Sequence, residues 1–459
     1  MFNSNPLEIK VTDFFLEKFN GKDKLSIMPQ FVELSIFQSI FQPNVKAQAL
    51  INDSIGLFSN YPLTGEEIVT IQYEQQNGLG TSSPIEREFK FIINGVKNIA
   101  IDDRARSLMY QMDLVSVEFL QNTRKYVSHG YYDLVEDMAE QVYTEYIATP
   151  TQEKFAEFGC KQKPFKKEES LKVRSLVVPN LRPIHAMQWL IRHAIAKDPD
   201  NYFLYLFYED TVGYNFVTLQ KLIEDAKNNI ETLKKSKYKY VSDTESSAVV
   251  SKGTDQDLRL ISNIVNNKRF SSVEKIMGGY YQNELFEISL LQKSYNSTPS
   301  ELQAPDSAKF KLGQFALNTP GYVNYVKNQQ EGTEYSNRVR YTINNYDDST
   351  QPFYRSKFGN ATRYLYALNQ IDLTITVPAN MDIKAGDIIY CDIHDLHGFN
   401  NVESDKYLVG LFLVAEVKQV LSFGNLAATT MRIHKDGYFT SLFETSLYNP
   451  DGGVKMGPR

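Results

Sequence analysis

Tyr61 to Glu74 reads YPLTGEEIVTIQYE: a turn built from Pro62 and Gly65 feeds a strand that carries Val69, Ile71 and Tyr73 on one face. The pattern recurs in the last third of the chain. There AGDIIYCDI, Ala385 to Ile393, sets a glycine turn before a strand with Ile389, Cys391 and Ile393 on one side. Two such β-rich units bracket a helical middle, so the reading is a body built from a duplicated barrel.

Around the first turn, apolar residues alternate in short runs: Val32, Leu34 and Ile36; Val45, Ala47, Ala49 and Ile51; Phe89, Phe91 and Ile93; Tyr110, Met112 and Leu114. Turn residues separate them at Pro43-Asn44, Asn52-Asp53, Asn77 to Gly80 and Asn94-Gly95. Residues 1–121 therefore read as a small antiparallel barrel. The period then changes. Leu134, Val135, Met138, Ala139, Val142, Tyr143, Tyr146 and Ile147 form one helical stripe, with Asp133 and Glu136 as N-cap and capping-box pair. A second helix is expected from Pro183 to Ala196, striped by Ile184, Met187, Leu190, Ile191, Ala194 and Ile195. Tyr202 to Tyr208 and Tyr214 to Val217, joined by Asp210 to Gly213, complete an α+β module over 122–225.

The polar stretch 226–255 reads as a linker or exposed helix. A second barrel is expected from 256–295 with 360–445, its strands including Leu373-Ile375-Val377, Ile389-Cys391-Ile393 and Tyr407 to Val417. Between its parts, 296–359 is rich in Asn, Ser, Thr, Pro and Gln and reads as a loop-rich insertion. The tail 446–459 is rich in Gly and Pro and is expected to be mobile. The fold class is thus mainly β with α+β parts.

Composition narrows the function. A net charge of −6 gives no field for nucleic acid, and the Lys-rich Lys161 to Lys172 is diluted by Glu168 and Glu169, so it reads as a solvated loop. Only Cys160 and Cys391 are present, too few for a disulfide framework. The longest apolar run, Tyr407 to Ala415, is well short of the ~20 residues that span a bilayer, and MFNSNPLEIK lacks a signal-peptide pattern, so no membrane anchor is expected. The 29 Tyr and 28 Phe beside a single Trp fit strand filler together with wet-edged interfaces.

Chemistry is sparse. Cys391, Asp392, His394, Asp395 and His397 cluster in sequence, yet strand followed by turn scatters such donors, so the stretch reads as a polar loop and no metal site is assigned. His185 and His193 read as edge or interface residues. Glu66-Glu67 and Asp102-Asp103 are adjacent, so on a strand they point to opposite faces. No nucleotide-binding, serine-hydrolase or zinc-protease motif occurs, and neither catalytic nor cofactor-binding residues are assigned.

Taken in order, Ser35 to Phe37, YPLTGEE, YQMDLVSVEFLQN (Tyr110 to Asn122), LRPIHAMQWLIRHAI (Leu181 to Ile195), YFLYLFYEDTVGYNFVTLQKLI (Tyr202 to Ile223), GGYYQNELFEISLLQKSY (Gly278 to Tyr295) and AGDIIYCDI resemble the central baseplate hub protein of contractile-tailed bacteriophages. The resemblance covers about three quarters of the chain. It implies a non-enzymatic homotrimer whose two barrels per subunit make a pseudo-sixfold ring between the tail tube protein and the central spike protein. Contacts with other baseplate subunits and a virion location follow. The related hub part of type VI secretion spikes gives the alternative, an injection-machine component outside phages. A glycan-binding or glycan-hydrolysing tail protein is the more distant one.

Overall fold

A computed structural model describes residues 9–19, 24–75, 85–102, 107–197, 204–240, 259–268, 272–278, 280, 282–289, 293–301, 312, 315–316, 339–343, 361, 365–393, 408–422 and 427–438. The first unit comprises β1 (Ile9–Glu17), β2 (Lys24–Ser26), β3 (Phe31–Ser39), β4 (Lys46–Asp53), helix α1 (Leu57–Asn60), β5 (Ile68–Gln75), β6 (Ile85–Asp102) and β7 (Ser107–Ser116). The middle holds α2 (Glu118–Arg124), β8 (Gly130–Asp133), α3 (Val135–Tyr143), α4 (Thr149–Lys154), β9 (Phe165–Lys167), β10 (Arg174–Val177), α5 (Pro183–His193), β11 (Tyr205–Glu209), β12 (Tyr214–Thr218), α6 (Leu219–Asn228) and α7 (Ile230–Lys235). Then come β13 (Tyr238–Tyr240), β14 (Leu260–Ile261), β15 (Asn263–Lys268), β16 (Gln282–Ser289), β17 (Ser294–Glu301), β18 (Phe315–Ala316), β19 (Val339–Ile343), β20 (Ile371–Pro378), β21 (Ile388–Asp392), β22 (Gly410–Ser422), β23 (Ala427–Lys435) and β24 (Gly437–Tyr438).

The two turn-and-strand motifs occupy matching places in matching sheets. In the first unit the pairing runs β1-β5-β6-β7-β4-β3, and in the second β13-β21-β22-β23-β20-β15. The correspondence holds residue by residue. Across five strands, Ile68, Ile92, Val115, Lys46 and Phe37 lie in one row, and Ile388, Leu413, His434, Asp372 and Lys268 lie in the other. Each unit carries a β-bulge two residues after its row, between Ile93 and Gly95 in β6 and between Val414 and Glu416 in β22. One position differs in direction: β1 is antiparallel to β5, whereas β13 is parallel to β21 because the chain reaches it from α7. Among the described residues no sheet is closed by pairing. In the second unit the ends of the path, β14 and β15, are parted only by Ser262, whose backbone N–H donates to the Thr376 carbonyl.

Among the described residues the units are fused into a single 14-stranded sheet. Beyond its bulge, β22 leaves β21 and pairs antiparallel with β3, from Glu416 opposite Ser39 to Ser422 opposite Glu33. The seam extends to Ile40, whose N–H donates to the carbonyl of the bulged Ala415. Leu421, Ala379 and Met381 from the second unit are buried in the core of the first, among Phe14, Leu34, Ile51 and Tyr73. The second unit keeps its own core around Leu373, Ile375, Phe412, Val414 and Ile433.

Of the alternating runs read from the sequence, Ala47, Ala49 and Ile51 in β4 and Tyr110, Met112 and Leu114 in β7 face inward as expected, whereas in β3 Leu34 and Ile36 are buried but Val32, at a bulge between Phe31 and Glu33, is only half-buried. Asn94-Gly95 is no turn. It is the bulge that lets β6 run on for 18 residues, because the extra residue bends the strand without breaking the ladder. Among the described residues, the segment from Gln282 pairs with β17 and β19 in a separate three-stranded sheet and does not join the second unit's ladder. Residues 241–258, 394–407 and 446–459, and most of 296–359, lie outside the described residues.

In the middle module, α3 and α5 bury Val135, Met138, Ala139, Val142, Ile184, Met187 and Leu190 against Tyr205, Phe207, Tyr214 and Phe216. Helix α3 is not capped by Asp133 as the sequence predicts. The Val135 N–H donates to Ser170 Oγ, a residue 35 positions away, and Asp133 takes the Leu134 N–H instead. Helix α5 stops at His193, short of Ala196, because the backbone at Ile195 and Ala196 is drawn into pairing with Leu171 and Ser170. Leu190→Asp would place a carboxylate without a partner in a fully buried position and cost more than about 4 kcal/mol. Urea unfolding of the variant should show this loss, and a folded variant of wild-type midpoint would contradict the packing.

Candidate functional site

Where the first unit meets the middle module, Lys163 Nζ lies 2.8 Å from Glu118 Oε2 and 2.6 Å from Glu209 Oε1. The lysine side chain stays 29% exposed, while both carboxylates are buried. Glu209 Oε2 also accepts from the Val45 N–H and from Ser116 Oγ, each at 2.8 Å, so one side chain of β11 holds the ends of β4 and β7. Asn44 Nδ2 donates to Ser116 Oγ and to Tyr214 Oη, and Tyr143 Oη donates to the Lys163 carbonyl. Burial alone would depress Lys163, but the attraction of Glu118 and Glu209 outweighs it and holds the ammonium well above its usual range. Burial raises Glu209, with Lys163 pulling the other way.

The second unit is held to the same module through its turn. Gly386 has φ +92°, and a Cβ there would overlap Tyr208 Oη, so only glycine allows β11 to approach. Lys384 Nζ lies 3.5 Å from Asp210 Oδ2. Asp387 Oδ2 accepts the Lys384 N–H at 3.0 Å, and burial pushes this acid up to about 6. The first turn is built alike. There Glu67, fully buried, accepts the Thr64 and Gly65 N–H groups at 2.9 Å, and Gly65 has φ +85°. Apolar packing completes the junction, with Ile40, Leu206, Tyr208, Val217, Ile388, Leu411 and Leu413 in one cluster.

Lys161 to Lys172 is therefore no solvated loop: it supplies Lys163 and strand β9, which is parallel to β12, with Phe165 stacked on Tyr143 at 5.1 Å. Its partners Glu118 and Glu209 are 45 and 46 residues away, so no local pattern marks them. Of the histidine and cysteine candidates, Cys391 is buried, its thiol pushed far up by burial, and Asp392 pairs with Lys237 at 2.6 Å. His394, Asp395 and His397 lie outside the described residues. His185 is exposed, and His193 packs its ring 4.1 Å from that of Trp189. Glu66 faces solvent while Glu67 is buried, as adjacent strand-entry positions require. Among the described residues no three metal-binding side chains converge, and no helix is long and apolar enough to cross a membrane. A charged groove beside β12 is lined by Lys197, Glu169, Lys221 and Asp225, which already pair with one another.

No protein-family model matches the chain. A curated relative, "Probable baseplate hub protein gp334" of Vibrio phage KVP40, is 21% identical over 447 residues, spanning 95% of this chain and 96% of its own. The chain is similar to a phage baseplate hub protein. Among solved structures, the tail protein from Neisseria meningitidis MC58 has TM-score 0.49 at 10% identity, covering 93% of this chain and 97% of that one. The 43 kDa tail protein of prophage MuSo2 from Shewanella oneidensis has TM-score 0.47 at 9% identity, covering 92% and 98%. The E. coli c3393 protein, a component of the type VI secretion system, has TM-score 0.38 at 7% identity, covering 95% and 80%.

The junction makes a defined demand on Lys163. Lys163→Met leaves Glu118 and Glu209 buried without a cation and should cost about 3–5 kcal/mol in urea unfolding at neutral pH. Adding Glu118→Gln and Glu209→Gln should recover much of that loss, since the carboxamide introduced in place of Glu209 keeps an acceptor for Val45 and Ser116. A Lys163→Met variant within about 0.5 kcal/mol of wild type would show that the cluster does not hold the junction.

Proposed function

We propose that this protein is a structural baseplate hub subunit of a contractile phage tail. In this reading three copies form a pseudo-sixfold ring of barrels that joins the hexameric tail tube to the trimeric central spike and leaves a channel for DNA. The observation that carries it is the relation to a baseplate hub protein along nearly the whole of both chains. Two units with matching strand order in one subunit support it, since three such subunits present six similar faces to a sixfold tube. The work of such a subunit is symmetry adaptation and load transfer. Hydrogen-bonded sheet resists extension, and the fused units cannot slide past each other without breaking the β22–β3 ladder. The net charge of −6 suits a lumen that DNA traverses without binding. Catalysis has no part in this role, and the chain would act in the virion tail beside tube, spike and other baseplate subunits.

Purified protein should sediment as a trimer, with subunit contacts above ~2,000 Å² in total, and should bind the cognate spike protein with three copies to three. A species that stays monomeric at high concentration with the spike protein present would refute the ring.

A further inference from the structure

The internal seam has an unused counterpart on each unit. In the first unit β5 accompanies β6 only as far as Ile92, and past the bulge residues 95–102 pair with β7 on one side alone. Among the described residues no strand takes the other edge. In the second unit the corresponding stretch of β22, residues 416–422, has that edge paired with β3. The strand equivalent to β3 is β15, and among the described residues β15 pairs only with β20. One molecule thus carries one half of a second seam on each unit.

The registers say which residues would meet. Val96, Met112, Ala49 and Leu34 form a row across the first unit, matched by Val417, Met431, Ile375 and Ile264 in the second. A second bulge in β6, at Asn98-Ile99, adds one residue, so Ala100 corresponds to Val420 and Ile101 to Leu421. Within the chain Leu421 stands opposite Leu34, and Leu421 is only 2% exposed. Ile101 is 74% exposed at the equivalent place. Ile99 and Val265 are also exposed, while Ile264 packs against the rim of the second core. An open strand edge with exposed large apolar side chains is a liability for a free subunit and an asset at an interface.

We infer that β6 beyond its bulge pairs antiparallel with β15 of a second copy of this chain, setting Ile101 opposite Ile264 and Ala100 opposite Val265 of the partner subunit. Ile101 would then cap the partner's second core as Leu421 caps the first core within one chain. The contact joins two different surfaces, so it is heterologous and closes only as a ring. This deepens the ring reading above and rests on it.

Full-length protein carrying Ile101→Cys with Ile264→Cys, and separately Ala100→Cys with Val265→Cys, tests the pairing under mild oxidation. Two neighbouring pairs are used because side chains approach more closely at the non-hydrogen-bonded one. The native Cys160 and Cys391 are buried, and single-cysteine variants serve as controls. At least one double variant should give a covalent ladder that ends at three chains, with none from the single variants. Ile101→Asp should leave the melting temperature of the monomer unchanged and raise the concentration for trimer formation by about tenfold. Trimers in sedimentation without cross-linking of either pair would overturn this seam and leave the ring reading standing. Monomers throughout would overturn both, and a ladder continuing past three would uphold the strand pairing against the closed ring.

Discussion

Strand β22 is shared between the two units of the sheet, and the rest of the architecture depends on how it divides its partners. Before its bulge it pairs with β21; after it, with β3. A bulge bends a strand and increases its local twist, so residues on either side of Ala415 can follow different partner strands within the one sheet. The bulged residue is not wasted, because its carbonyl takes the Ile40 N–H. Pairing of this kind is strong along the strand and unforgiving of slip, since a shift by one residue would turn Leu421 out of the first core and Val420 into it.

The middle module stiffens the seam from one side. Its β11 presents Glu209 to β4 and β7 and Tyr208 to the turn before β21, so a single five-residue strand reaches both units. The buried carboxylates at this point would be destabilising alone. Lys163 compensates them, and the fixed geometry of the cluster favours one relative placement of the parts. Apolar packing supplies most of the adhesion around it, through Leu206, Val217, Ile388 and Leu413.

Much of this was legible in the sequence because period-two alternation reports a half-buried strand directly. The faces of β4, β5 and β7, the stripe of α3 and the paired glycine turns all follow from that signal. What was not legible depends on distant partners. Asn94-Gly95 has the composition of a turn, and only the partner strand β7 makes it a bulge. Lys163 sits in a run that looks solvated, and its role comes from Glu118 and Glu209 folding over it. Ser170 displaces the local cap of α3 in the same way. The strand β1 went unread because its apolar residues Val11, Phe14 and Leu16 change register at a bulge near Asp13, which breaks the alternation. The resemblance to a hub protein was visible as an order of weak motifs, none of them diagnostic alone.

Native-state hydrogen exchange of the β3 and β22 amides tests most directly whether the two units behave as one sheet. Amides in the seam, from Leu34 to Gln38 and from Val417 to Leu421, should exchange only with the global unfolding that also opens the β4–β7 and β20–β23 ladders. Seam amides that exchange through a low-energy opening, while both of those ladders stay protected, would contradict it.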